Sequence, residues 1–183
     1  MNIVKIKTPL DNDQLRVLRA GDKVLISGII YTARDKAHQL LVDMLKKGES
    51  IPFELQNAII YYTGPVISGS TGKIISAGPT TSSRMDRYTP QLLSAGVKGL
   101  IGKGPRSREV IEAIRLNMGL YFTAVGGAGV YLAERIKESR ILAFPELGLE
   151  GVYELHVEDL PCYVAIDSDG NTLFTSMNEE GRK

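Results

Sequence analysis

A threonine, two arginines and a lysine, all at turn positions, could together clamp a small dianion and move a proton. Thr80 and Arg84 fall in residues 77–86, AGPTTSSRMD. Gly78 and Pro79 break the strand expected at Lys73, Ile74, Ile75 and Ser76. Thr80, Thr81, Ser82 and Ser83 are four candidate N-caps for a following helix, whose apolar face would carry Tyr88, Leu92 and Leu93. A helix start presents unpaired N–H groups and a positive dipole end, so it attracts anions. Arg84 adds a planar two-pronged donor matched to a carboxylate. Taken alone, the same segment also reads as a capped helix with a solvated arginine. Arg34 stands where a strand at Tyr31 and Thr32 gives way to a helix, and Lys103 sits between Gly102 and Gly104 after an apolar strand. Singly these are surface charges. Jointly they match the need for a dianion clamp, because ligands gather beyond the strand ends of sheets with helical connections.

The elements that must position these residues alternate. Strands are expected at residues 1–7, 23–31 and 59–62, with a helix over residues 35–47 carrying Ala37, Leu40, Leu41 and Met44 at helical spacing. Further strands are expected at 99–101 and 120–125. Ser107 is a helix cap before Val110, Ile111, Ile114 and Met118. Residues 126–129 lead into a helix that would include Val130, Leu132, Ala133 and Ile136. Strands return at 141–144, 152–157 and 161–166, and a hairpin turn falls at 168–171. This rhythm predicts an α/β fold with a partly parallel sheet, organised as one domain over residues 1–183 with a flexible tail at 178–183.

Composition removes several classes of function. The chain has 183 residues, 43% of them hydrophobic, and a formal net charge of +1. That is enough to bury a core and gives no basic excess for nucleic acid. No apolar run is long enough to span a bilayer, and the N-terminus lacks the continuous apolar centre of a signal peptide, so a cytoplasmic protein is expected. One cysteine, Cys162, cannot form an internal disulfide or a cysteine-rich metal site, and it reads as a small core residue. His38 and His156 have no ligand-spaced partners. The turn at residues 68–73 fails as a phosphate loop, because Ile67 stands at the leading glycine position and Ile74 follows Lys73. It also misses the serine-hydrolase elbow. Residues 126–129 lack the dinucleotide spacing, and residues 167–170 lack that of a calcium loop.

Three blocks then stand out together: YTARDKAH at 31–38, SAGPTTSSRMD at 76–86 and IGKG at 101–104. They closely resemble the beta subunit of class I fumarate hydratase and its relative, the L-tartrate dehydratase beta subunit. The likeness continues through YFTAVGGAG at 121–129 and FPELG at 144–148, and so covers most of the chain in order. The resemblance implies a swivelling β/β/α domain with a mixed sheet, similar to the mobile domain of aconitases, and reversible hydration of fumarate to L-malate. It implies an oxygen-sensitive [4Fe-4S] cluster held by three cysteines of an alpha subunit, not by this chain, in an α2β2 assembly. By the same resemblance Arg34 and Arg84 bind substrate carboxylates, Lys103 is a third cationic contact, and Thr80 moves the proton, with Thr81 as the alternative. A non-enzymatic dicarboxylate-binding or regulatory domain is the competing expectation.

Overall fold

The computed structural model describes residues 3–125 and 127–174; the tail expected at 178–183 lies outside them. Strand β1 (Ile3–Lys7) runs parallel to the first half of β2 (Lys23–Thr32), and a short helix, α1 (Asn12–Val17), joins them. Its start is a capping box. Asp11 accepts from the Gln14 N–H at 2.8 Å, and the Gln14 side chain accepts from the Asp11 N–H at 2.9 Å. Helix α2 (Asp35–Lys47) ends at Gly48, whose left-handed φ of 68° suits a residue without Cβ. Strand β3 (Ile59–Tyr61) leads to a small antiparallel pair, β4 (Val66–Ile67) and β5 (Ile74–Ser76). A 3-10 turn (Ser82–Met85) and helix α3 (Thr89–Ser94) follow. Next come β6 (Gly99–Gly102), α4 (Arg108–Leu116), β7 (Leu120–Thr123) and α5 (Gly129–Ala133). Strand β8 (Ile136–Ala143), a second 3-10 segment (Pro145–Glu150) and the long β9 (Val152–Ile166) complete the described chain.

The main sheet has the order β1-β2-β3-β6-β7-β9-β8. Strands β1, β2, β3, β6 and β7 run parallel to one another, whereas β9 runs antiparallel to β7, β8 and β2. Because β9 also pairs with β2, strands β2, β3, β6, β7 and β9 close on themselves, and the mixed sheet is partly barrel-like. Alternation along each strand separates two cores. Ile59, Tyr61, Ile101, Leu120 and Phe122 face one interior with β9 residues such as Leu155 and Val164. Ile60, Tyr62, Leu100 and Tyr121 face the other way, under Leu41 of α2, Leu92 of α3 and Ile114 of α4. Both faces of these strands are buried, which is why they read as short continuous apolar runs.

Three expectations are corrected. The hydroxyls of residues 80–83 cap no helix. The chain makes a 3-10 turn there, and α3 begins only at Thr89, with Pro90 in its first turn. A helix running through 90 would lose a hydrogen bond and clash at the proline ring, while in a first turn neither cost arises. Ile136 is not in a helix. It opens β8 opposite Val157 of β9, and cross-strand pairing outweighs its apparent helical spacing. The two strands expected at 152–157 and 161–166 are one strand, and Pro161 lies where β9 changes its partner from β8 to β7.

Candidate active-site ledge

The parallel register sets the frame. Thr32, Tyr61, Ile101 and Phe122 form one row across β2, β3, β6 and β7. Two residues further along each strand stand Arg34, Thr63, Lys103 and Ala124. Strand spacing puts the β2 and β6 backbones about 10 Å apart, with β3 between them. Arg34 and Lys103 therefore leave the same end of the sheet, the carboxyl end at which such folds collect ligands.

The loop after β5 is tied across this row. Tyr61 donates its hydroxyl to the Ala77 carbonyl, and Thr63 donates to the Gly78 carbonyl at 2.8 Å. The Thr80 N–H donates to the Tyr62 carbonyl at 2.6 Å. Thr81 then bridges to Lys103 in parallel fashion. The Ser82 N–H donates to the Lys103 carbonyl, and the Lys103 N–H donates to Ser82 Oγ, both at 3.0 Å. Gly102 makes this close approach possible, since a Cβ there would lie 1.9 Å from Ser82 Oγ. The backbone of Thr80 is thus fixed at the end of β3, and that of Lys103 is fixed against the same loop. Thr80 is half-buried, whereas Thr81 and Lys103 are exposed.

Arg84 reaches back from the 3-10 turn to the start of α2. Its Nε and Nη2 donate to the two oxygens of Asp35 at 3.0 and 2.5 Å. Arg84 is therefore not simply solvated, and it is drawn beside Arg34. Partial burial would raise the Asp35 carboxyl. The Arg84 hydrogen bond, a backbone hydrogen bond and the charges of Arg84 and Arg34 outweigh that, holding it below the ordinary carboxylate range. Arg34 pairs with Glu150 at 3.3 Å, and its buried Nε has no hydrogen-bond partner. Gly64 leaves room for it, because a Cβ there would stand 2.8 Å from Arg34 Nη1.

Behind Arg34 lies His38, fully buried, its ring edge-on to Tyr62 at 5.1 Å between centroids. Its Nδ1 is 2.9 Å from the Arg34 carbonyl, which can only accept, so Nδ1 carries the proton. Burial pushes its pKa down to about 4, aided by the Arg106 charge and opposed by that hydrogen bond and by Asp35. Asp35, Ser82, Thr63 and His38 complete an arrangement for which the sequence offered only neighbourhood. Asp35 and His38 lie in the first distinctive block, but their partners are distant along the chain or on the backbone.

The backbones of all four selected residues lie at this one end of the sheet. Grooves of about 720 Å³, between β5 and β8, and about 370 Å³, between β8 and β9, contain none of them. Thr80 and Arg84 come from the tied loop, Arg34 from beyond β2 and Lys103 from beyond β6, and guanidinium and ammonium donors of this kind are suited to carboxylates.

The sequence profile described as Fumarase C-terminus matches residues 1–177. The chain belongs to this family. Fumarate hydratase 2 of Leishmania major is 36% identical over 176 residues, covering 94% of this chain but 31% of that protein. A protein of Methanocaldococcus jannaschii, provisionally named as an L(+)-tartrate dehydratase beta subunit, is 34% identical over 177 residues, covering 93% of this chain and 91% of its own length. The aerobic class I fumarate hydratase of Escherichia coli K12 is 34% identical over 166 residues, 90% of this chain and 30% of that enzyme. This member of the Fumarase C-terminus family thus spans about a third of the fumarate hydratases it matches and nearly all of the subunit-sized relative.

Proposed function

We propose that this chain is the beta subunit of a cytoplasmic hydro-lyase that reversibly hydrates fumarate to L-malate, supplying dicarboxylate-binding and proton-transfer groups to a site shared with an alpha subunit. The observation that carries this reading is the loop tied across β3 and β6, which holds Thr80, Arg84 and Lys103 at the strand end where Arg34 emerges. Arg34 and Arg84 take the substrate's carboxylates through their guanidinium N–H groups. Asp35 grips Arg84 by Nε and Nη2 and so turns Nη1 toward an incoming anion. Lys103 adds a point charge at the rim. Thr80 Oγ1 holds or delivers the proton at the substrate carbon. Thr80 suits this better than Thr81, because it is half-buried and its N–H is bonded to Tyr62 just beyond β3, whereas Thr81 is exposed.

The resemblance gives the enzyme a [4Fe-4S] cluster. The residues of this chain do not fit one. Cys162, the sole cysteine, is buried in the barrel core, and burial raises its thiol well above the ordinary range. Among the described residues no group of three His, Cys, Asp or Glu side chains could hold a metal ion. The cluster in this proposal belongs to the alpha subunit of an α2β2 assembly, and no step is derived through it. Swivelling of this aconitase-mobile-domain-like unit against its partner would close the open ledge and exclude water other than the reactant. Tartrate is the second candidate substrate, favoured by the near full-length match to the subunit-sized relative.

The test is co-expression with a cysteine-bearing partner, anaerobic reconstitution and assay of both substrates. Thr80→Val is expected to lower kcat by about 10²–10⁴-fold with little change in KM, and Thr81→Val to cost far less. Near-normal turnover of the Thr80 variant removes its role. Dicarboxylate binding by this chain alone, with turnover of neither substrate in any assembly, makes it a binding module instead.

A further inference from the structure

Behind the ledge, Arg106 is wholly buried, with its side chain 0% exposed. A buried guanidinium is costly unless each donor finds a partner. Here Nε donates to Asp86 Oδ1 at 2.7 Å, Nη2 to Thr89 Oγ1 at 2.7 Å and Nη1 to the Tyr62 hydroxyl at 3.3 Å. The guanidinium also lies over the Tyr62 and Tyr121 rings, 5.2 and 5.0 Å from their centroids. The second Asp86 oxygen accepts from the Ser107 N–H at 2.7 Å. The Tyr121 hydroxyl bonds both Ser82 Oγ, at 3.0 Å, and the Gly104 carbonyl, at 2.8 Å.

These contacts join two segments. One contains Ser82, Asp86 and Thr89 and carries Thr80 and Arg84. The other contains Gly104, Arg106 and Ser107 and carries Lys103. We infer that Arg106 is a positioning residue for the reaction. Its three-way grip, with Asp86 as the shared anchor, sets the spacing between the loop bearing Thr80 and Arg84 and the loop bearing Lys103. This rests on the function proposed above, since it gives Arg106 work only if those residues meet a substrate. The planar fork matters as well as the charge. A lysine ammonium cannot reach Asp86, Thr89 and Tyr62 with the same fixed directions.

The experiment compares Arg106→Lys with Ile114→Ala, a substitution in the same outer core that costs stability without touching the clamp. In the reconstituted complex, Arg106→Lys is expected to raise KM for fumarate or tartrate by about tenfold or more, while Ile114→Ala leaves KM near the wild-type value. In the isolated full-length chain, Arg106→Lys is expected to speed amide exchange at Ser107 and Lys103 by about tenfold relative to the β3 amides. An unchanged KM, or equal KM changes in the two variants, overturns the inference. If the wild-type complex turns over neither substrate, the proposed function fails on its own. The Ser107 and Lys103 amides then decide the clamp: unchanged relative exchange refutes it, and faster exchange supports it as a mechanical link.

Discussion

Two arginines of the same loop system each hold an aspartate, and they differ in what surrounds them. Arg106 is buried, and all three of its nitrogens have partners. Arg84 is 48% exposed along its side chain, gives two nitrogens to Asp35 and makes no hydrogen bond through Nη1 among the described residues. A fully committed guanidinium fixes structure. A half-committed one at a strand end is oriented but still able to bind. The difference separates the support of this ledge from its proposed binding face, although both pairs are Arg–Asp and both involve residues of the 84–89 segment.

The sharpest way to break the comparison is to remove each guanidinium in turn and measure stability by urea unfolding. Arg106→Met leaves the Asp86 carboxylate buried beside fewer partners and is expected to cost about 3–5 kcal/mol. Arg84→Met breaks a partly exposed pair and is expected to cost at most about 1 kcal/mol. Equal losses would erase the distinction between support and face.

Acid sharpens it next, through His38, which packs behind Arg34. Its folded pKa, about 4, lies below the unfolded value of about 6.5. Between these values the unfolded chain binds the extra proton, so stability falls as pH drops from 6.5 toward 4, by up to about 3 kcal/mol from this group. His38→Asn keeps a donor for the Arg34 carbonyl without that titration. The wild-type minus variant stability is expected to decline over this window, and a flat difference would mean that His38 is not held neutral.

The sequence carried the framework unevenly. Strands β2, β3 and β6 and helices α2 and α4 are legible because their apolar residues fall at clear spacing and Ser107 marks the start of α4. Helix α1 is not legible, because six residues show little periodicity even though Asp11 and Gln14 form its capping box. The apparent helical spacing of Ile136 misleads, because its strand identity comes from pairing with Val157, a non-local fact. Arg34, Thr80, Arg84 and Lys103 could be chosen from residue type and turn position, and the block resemblance joined them. Arg106 could not, since it lies between Pro105 and Ser107 with no local pattern, and its partners Asp86 and Tyr62 stand 20 and 44 residues away.

The most direct measurement of the central claim is kcat/KM for fumarate and for tartrate in the reconstituted complex carrying Arg84→Ala. A fall of about 10²–10³-fold with the unfolding midpoint nearly unmoved is the expected result. Turnover within a few-fold of the wild-type complex would contradict the assignment of this ledge as the place where a dicarboxylate is held.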